Sequence, residues 1–289
     1  MADSKLLFHL SDIHFGLEDR EALDWVRREI AERRPDAVAI TGDLTMRARH
    51  REFAAACHWI QSLDVPVTVE VGNHDMPYFN LVERMVAPYR RFRAIEGLVE
   101  REIDLPGLAI VPLKTAVRAQ PRLNWSKGWV SRRALKQCLD AIDALPAGTR
   151  VLVAAHHPLR EVGTRGTALT RNGQRALDEL ARRPVIAVLS GHVHDAFDIP
   201  EPADAGSGAG SVRMIGAGTL SQRLRSTPPS FNELRWDGHA LSVTVRNLER
   251  LPTRAMQISD VPEDAMPPRD AGEPVAPAHR VPEVDPPVH

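Results

Sequence analysis

Five short apolar runs, each ending in a polar cluster drawn from the same few residue types, constrain this chain more than any other feature. The runs are Leu6–Leu10, Ala37–Thr41, Val65–Val71, Val151–Ala155 and Val185–Ser190. Each is rich in Val, Ile or Leu and nearly continuous rather than alternating, which is how a strand buried on both faces reads. Helical patterns fill the gaps. Leu23, Val26 and Ile30 recur at helical spacing after the acidic start Glu18-Asp19, with Pro35 beyond the end. Phe53, Cys57 and Ile60 repeat the pattern, as do Leu135, Cys138, Leu139 and Ile142 behind the cap candidate Ser131. Asn172 is the cap candidate of a fourth helix carrying Ala176, Leu177 and Leu180. Later, Phe231–Trp236, Asp237-Gly238 and Ala240–Val245 read as a tight β-hairpin. Alternating β and α units followed by late antiparallel strands predict an α/β sandwich with a mixed sheet.

The polar clusters at the run ends carry the chemistry. The first run leads into Ser11-Asp12-Ile13-His14, the second into Gly42-Asp43 and the third into Gly72-Asn73-His74-Asp75. The fourth leads into His156-His157-Pro158 and the fifth into Gly191-His192-Val193-His194. In α/β sheets, ligands bind in the crevice beyond the carboxyl ends of the strands. Any one of these motifs is weak: Asp-x-His arises by chance, and Gly-His-x-His fits an ordinary turn. Five in succession at strand ends are not scattered as chance would scatter them. Carboxylates, imidazoles and an amide oxygen suit Mn, Fe, Zn or Co better than a thiolate or oxygen-only set would. A shared carboxylate could hold two cations ~3.5–4 Å apart, as in two-metal phosphoester hydrolysis.

Composition removes competing classes. The chain has 289 residues, with 37 Lys+Arg against 38 Asp+Glu and a formal net charge of −1. A dedicated nucleic-acid binder would be strongly basic, so nucleic acid is not the expected partner. Two cysteines, Cys57 and Cys138, cannot build a disulfide framework or a zinc ribbon. No run approaches the ~18 apolar residues of a membrane span, and the apolar stretch near the amino terminus is too short for a signal peptide. The expectation is a soluble, cytoplasmic protein, with its oligomeric state open and a homo-oligomer among the alternatives. Residues 1–250 are expected to form the catalytic domain. Nine of the 23 prolines fall in Leu251–His289, which is read as an extended or disordered tail, with a strap across the domain as the competing reading.

The ordered set D-x-H, G-D, G-N-H-D, H and G-H-x-H, running from Asp12 to His194, resembles the calcineurin-like metallophosphoesterase superfamily. The segments GTLSQRLR (218–225) and SFNEL (230–234) are similar to those of bacterial class III cyclic nucleotide phosphodiesterases. The resemblance covers roughly residues 5–247 and is far more specific for the superfamily than for a substrate. It implies a four-layer α/β/β/α sandwich. It also implies one metal held by Asp12, His14, Asp43 and His194, and a second held by Asp43, Asn73, His156 and His192, with Asp43 bridging. His74 matches the histidine that stabilises phosphoryl charge or protonates the leaving oxygen, and Asp75 matches an acid that orients His74. The expected reaction is in-line attack on phosphorus by a metal-bridging hydroxide. Its product alkoxide takes a proton from His74 or metal-bound water.

Residues also separate the branches. Protein phosphatases carry Gly-Asp-x-x-Asp-Arg-Gly, whereas this chain reads Gly42-Asp43-Leu44-Thr45-Met46-Arg47-Ala48. Diacylglucosamine pyrophosphatases have Arg where His74 stands. Repair nucleases add a DNA-binding region, while only 5% of this chain is aromatic. A small phosphodiester is thus the expected substrate, with cyclic nucleotides foremost. A nucleotide-type pyrophosphatase acting on substrates such as UDP-diacylglucosamine, a nuclease, and a non-catalytic metal-binding scaffold are the alternatives. One departure affects the substrate wall: Pro112-Leu113-Lys114 replaces the Gly-Leu-Asp or Gly-Leu-Asn of relatives. Candidate substrate contacts are His157, Arg118, Arg122 and Arg165, set against packing for the histidine and plain solvation for the arginines. His9 reads as a core histidine. Trp125 and Trp129 either wall the cleft or pack under a loop.

Overall fold

A computed structural model describes residues 4–101, 103–201 and 211–250. The proline-rich tail lies outside the described residues. In chain order the elements are β1 (Lys5–Leu10), α1 (Arg20–Arg33), β2 (Ala37–Ile40), α2 (His50–Gln61), β3 (Val67–Val69), α3 (Leu81–Val86), α4 (Arg90–Val99) and β4 (Leu108–Pro112). There follow α5 (Arg132–Asp143), β5 (Arg150–Ala154), α6 (Gly173–Leu180), β6 (Val185–Ser190), β7 (Phe197–Glu201), β8 (Val212–Gly216), β9 (Ser230–Trp236) and β10 (Leu241–Asn247). They form two five-stranded mixed sheets, β10-β9-β1-β2-β3 and β4-β5-β6-β8-β7.

The continuous apolar runs have a direct cause. Alternate residues of β1 face opposite ways, and both faces are buried. Leu6, Phe8 and Leu10 join a core with Val26 and Ile30 of α1 and Phe53 and Ile60 of α2. Leu7 joins a second core with Leu152, Leu189 and Ile215 of the other sheet. On the far side Val151 and Val153 of β5 meet Leu135 and Cys138 of α5 and Leu177 and Leu180 of α6. Three cores separated by two sheets make four layers, α/β/β/α. The expected sandwich is thus present.

Local signals set the helix ends. Asp19 caps α1 by accepting from the Ala22 amide, and Ser131 caps α5 by accepting from the Ala134 amide at 3.1 Å. Asn172 occupies the cap position of α6, but its side chain does not cap. It stands in the left-handed region with φ 60°, and its Nδ2 donates to the Val130 carbonyl at 3.0 Å. The late hairpin pairs Trp236 with Leu241, leaving a four-residue loop in which Asp237 Oδ1 accepts from the His239 and Ala240 amides. Among the described residues, no helix is long and apolar enough to cross a membrane.

Candidate metal centre

The parallel strands β1, β2, β3, β5 and β6 all end at one edge, and the loops that leave them bring together all seven residues implied as ligands. Asp12, His14 and His194 form one cluster, Asp12, Asp43 and His156 a second, and His156, His157 and His192 a third. Five of these positions are non-glycine residues at positive φ: Asp12 at 53°, His14 at 51°, Asp43 at 51°, His192 at 68° and His194 at 61°. Such conformations cost roughly 1–2 kcal/mol each for L-residues and persist where the surroundings over-determine them. The loops are tight enough to require glycine beside them. A Cβ on Gly72 would meet Asp43 Oδ1 at 2.1 Å, and one on Gly191 would meet Ser11 Oγ at 1.7 Å and Asp12 Oδ2 at 2.3 Å.

Hydrogen bonds fix which ring nitrogens face inward. His156 Nδ1 donates to the Thr41 carbonyl at 2.8 Å, and His194 Nδ1 donates to the Arg223 carbonyl at 2.7 Å. Each ring therefore turns its Nε2 lone pair into the cluster. His156 Nε2 faces Asp43 Oδ2 at 3.3 Å and Asn73 Oδ1 at 3.2 Å. His194 Nε2 faces Asp12 Oδ1 and His14 Nε2, both at 3.2 Å. Asp43 Oδ2 also lies 3.8 Å from His14 Nε2, between the two groups. With neutral rings, acceptors would confront acceptors, so these nitrogens call for a proton or a cation. Asp12 Oδ1 is buried without a hydrogen-bond partner, a costly arrangement unless a cation sits beside it. The mixed nitrogen and oxygen donor set fits divalent transition metals.

The electrostatics show the same demand for positive charge. Burial opposes ionisation of Asp12, but His194 overrides it and holds the carboxyl well below its ordinary range. Asp43 is held low in the same way by His156. Burial pulls the His156 imidazole down, yet the Asp43 carboxylate lifts it to about 10. Burial, reinforced by His157 and His156, holds His192 well below the usual imidazole range.

Two expected roles need correction. Asp75 does not orient His74. Its Oδ2 accepts from the Leu44 and Gly72 amides at 3.2 and 2.9 Å, and its Oδ1 accepts from the Thr45 amide and hydroxyl at 2.8 and 2.9 Å. A buried carboxylate satisfied by amides ties the β2 and β3 loops together instead. His74 Nδ1 donates to the Met46 carbonyl at 2.7 Å. Arg118 is also elsewhere: it is exposed, donates to the Met85 carbonyl at 2.9 Å and lines a different cavity.

The remaining candidates divide. His157 has both ring nitrogens engaged: Nε2 donates to the Ser126 carbonyl at 2.8 Å, and Nδ1 pairs with Thr115 Oγ1 at 2.9 Å. It packs against His192 with ring centroids 4.4 Å apart. Arg122 donates to the Leu169 carbonyl. His9 is fully buried, between Thr41 Oγ1 and Asn232 Nδ2. Arg165 does reach the site, where a cavity of about 270 Å3 is lined by Asp43, His74, His192 and the cations Lys127, Arg223 and Arg225. His74 and Asn73 also line an adjoining recess of about 650 Å3 whose wall includes Tyr78, Leu123 and Trp125, so Trp125 does wall the cleft.

Arg223 is the functional candidate that spacing did not isolate. Its Nη1 lies 3.2 Å from His14 Nε2 and 3.2 Å from His74 Nε2. It sits inside the quoted GTLSQRLR segment, but nothing distinguishes it from Arg225 or from other arginines without the fold.

Known proteins match on sequence and on shape. The sequence model of the calcineurin-like phosphoesterase family matches residues 6–196. A probable cyclic nucleotide phosphodiesterase of Pseudoalteromonas sp. is 25% identical over 205 residues, covering 65% of this chain and 71% of that protein. A protein of the same description from Rhodococcus erythropolis is 27% identical over 212 residues, covering 65% of this chain and 64% of that one. In shape, a dimetal phosphatase from Danio rerio superposes with a TM-score of 0.62 at 14% identity, covering 84% of this chain and 96% of that one. The family match runs through every ligand loop on both sheets. This chain therefore belongs to the calcineurin-like phosphoesterases and is a phosphoesterase.

Proposed function

We propose that the chain is a dinuclear metal-dependent phosphodiesterase acting on a small phosphodiester, a cyclic nucleotide foremost. The observation that carries this reading is Asp43 Oδ2, which lies between the inward imidazoles His14 and His156 at 3.8 and 3.3 Å. One carboxylate oxygen so placed suits a bridge between two cations. Asp12, His14, Asp43 and His194 would hold one, and Asp43, Asn73, His156 and His192 the other. Bound there, two such ions supply Lewis-acid neutralisation of phosphoryl charge and acidify water.

The chain's own residues do the rest. The cavity of about 270 Å3 falls just below the ~300–1,000 Å3 span of ligand sites, and its Lys127, Arg165, Arg223 and Arg225 suit a compact anion. Arg223 receives a phosphoryl oxygen, since its Nη1 already points among imidazole nitrogens that have no negative charge to offer. His74 keeps Nδ1–H on Met46 and presents Nε2 to the cavity. Once Arg223 has moved onto the phosphate, that Nε2 is free to take a proton from water and pass it to the leaving oxygen. The similarity to probable cyclic nucleotide phosphodiesterases supports the same substrate class.

A substrate panel on Mn-reconstituted protein tests the reading. Cyclic mononucleotides and bis(p-nitrophenyl) phosphate are expected to turn over faster than oligonucleotides, diphosphate esters and monoesters. A preference for diphosphate esters would make the protein a pyrophosphatase, and one for oligonucleotides a nuclease. Two bound metals with no ester cleaved would leave a scaffold.

A further inference from the structure

A cavity of about 760 Å3 shares no lining residue with the catalytic cavity or with the apolar recess beside it. Its wall carries Arg93, Lys114, Arg118 and Arg133 and no aspartate or glutamate. The chain as a whole balances 37 basic residues against 38 acidic ones, so four cations around an acid-free hollow is a local imbalance. Among the described residues none of the four makes an ion pair. Lys114 Nζ stands 4.7 Å over the Tyr89 ring and Arg118 donates only to a carbonyl. Glu70 acts on Lys114, and Glu96 on both Lys114 and Arg93, from outside the wall; neither enters it. The first turn of α5 also lines the hollow through Ser131, Arg133 and Ala134, and the positive end of its dipole adds to the field.

We propose that this cavity binds a small polyphosphate anion of the nucleoside di- or triphosphate class. Guanidinium groups held in no salt bridge match phosphate oxygens in bidentate geometry and are weakly hydrated, so they lose little on pairing. Four positive charges match the three or four negative charges of such a ligand. The volume exceeds what a bare phosphate fills, and Tyr89 and Trp129, each with a cation over one ring face, add aromatic surface for a base to the lining. The site is independent of the phosphodiesterase reading.

Titration of the metal-loaded full chain with α,β-methylene-ADP, which resists hydrolysis between its phosphates, tests the assignment. Methylenediphosphonate serves as the inorganic counterpart. The Arg93→Glu/Arg133→Glu double variant changes two exposed side chains outside the catalytic cavity. It is expected to bind at least tenfold more weakly while keeping wild-type hydrolysis of bis(p-nitrophenyl) phosphate and an unchanged Tm. Wild-type affinity should also fall as salt rises. Tighter binding of α,β-methylene-ADP than of methylenediphosphonate assigns the site to nucleotides, and equal binding assigns it to polyphosphate at large. Undiminished affinity in the double variant, or no saturable binding by the wild type up to millimolar ligand, overturns the proposal.

Discussion

Asp43 Oδ1 accepts from the His74 amide at 2.8 Å, while Oδ2 faces the inward nitrogens of His156 and His14. The two oxygens therefore do separate things: one shapes the β3 loop and the other is offered to cations. Asp43→Asn keeps the shape and tolerates the positive φ, but it removes the negative charge. Both metals are expected to weaken together, by metal analysis after dialysis, with hydrolysis lost in parallel. His74→Ala removes no implied ligand, so it should keep its metals and lose ~10²–10⁴-fold in kcat. A normal metal content with wild-type hydrolysis in Asp43→Asn would remove the bridge from the scheme. The ligand residues themselves were legible in the sequence because each follows a recognisable strand. Arg223 was not, because its relation to His14 and His74 spans more than 140 residues and exists only after both sheets have formed.

At the scale of elements, burial decided what was readable. β1, β2, β5 and β6 announce themselves because three cores bury both of their faces. β7, at a sheet edge and containing Pro200, and β8, interrupted by Arg213, lack that continuous run. Helix α3 inverts the usual pattern: Leu81, Val82, Met85 and Val86 are exposed, while Glu83 and Arg84 are buried. Glu83 binds Arg90 and Arg91, and Arg84 donates to the Arg118 carbonyl. Polar bonds specify that turn, so hydrophobic periodicity misses it. Helix α4 hides Phe92 and Val99 among arginines. Just past β3, burial lifts the Glu70 carboxyl to about 7, with only partial relief from Lys114. Below pH 4.5 it is protonated both folded and unfolded, and no penalty arises. As pH rises toward 7 the unfolded chain loses the proton first, so stability falls, and the full penalty stands above 7. Glu70→Gln keeps an acceptor for the Val71 amide and removes the charge. In metal-stripped protein it should add little stability at pH 4.5 and up to roughly 3 kcal/mol at pH 8, by urea unfolding. Equal gains at both pH values would mean the carboxyl is not the cause.

Across the whole molecule, the ligand loops come from both sheets. Asp12, His14, Asp43 and Asn73 leave β1, β2 and β3, while His156, His192 and His194 leave β5 and β6. Below the site the two sheets meet through small and aliphatic side chains such as Ala37, Ala39, Ala187 and Leu152. At the site they meet through opposed acceptors and imidazoles, so that edge of the seam is held weakly without cations. Metal that binds only the folded state stabilises it by about 2.7 kcal/mol when free ion is at 100 times its Kd. A domain of this size shifts by ~2–4 °C per kcal/mol. Chelation with EDTA should therefore lower Tm by roughly 5–10 °C in calorimetry, and added Mn should restore it. The same treatment of Asp43→Asn, whose cations are already weak, should shift Tm far less. An equal shift in both proteins would place the stabilising metal away from Asp43, and no shift in the wild type would mean that the two sheets close without it.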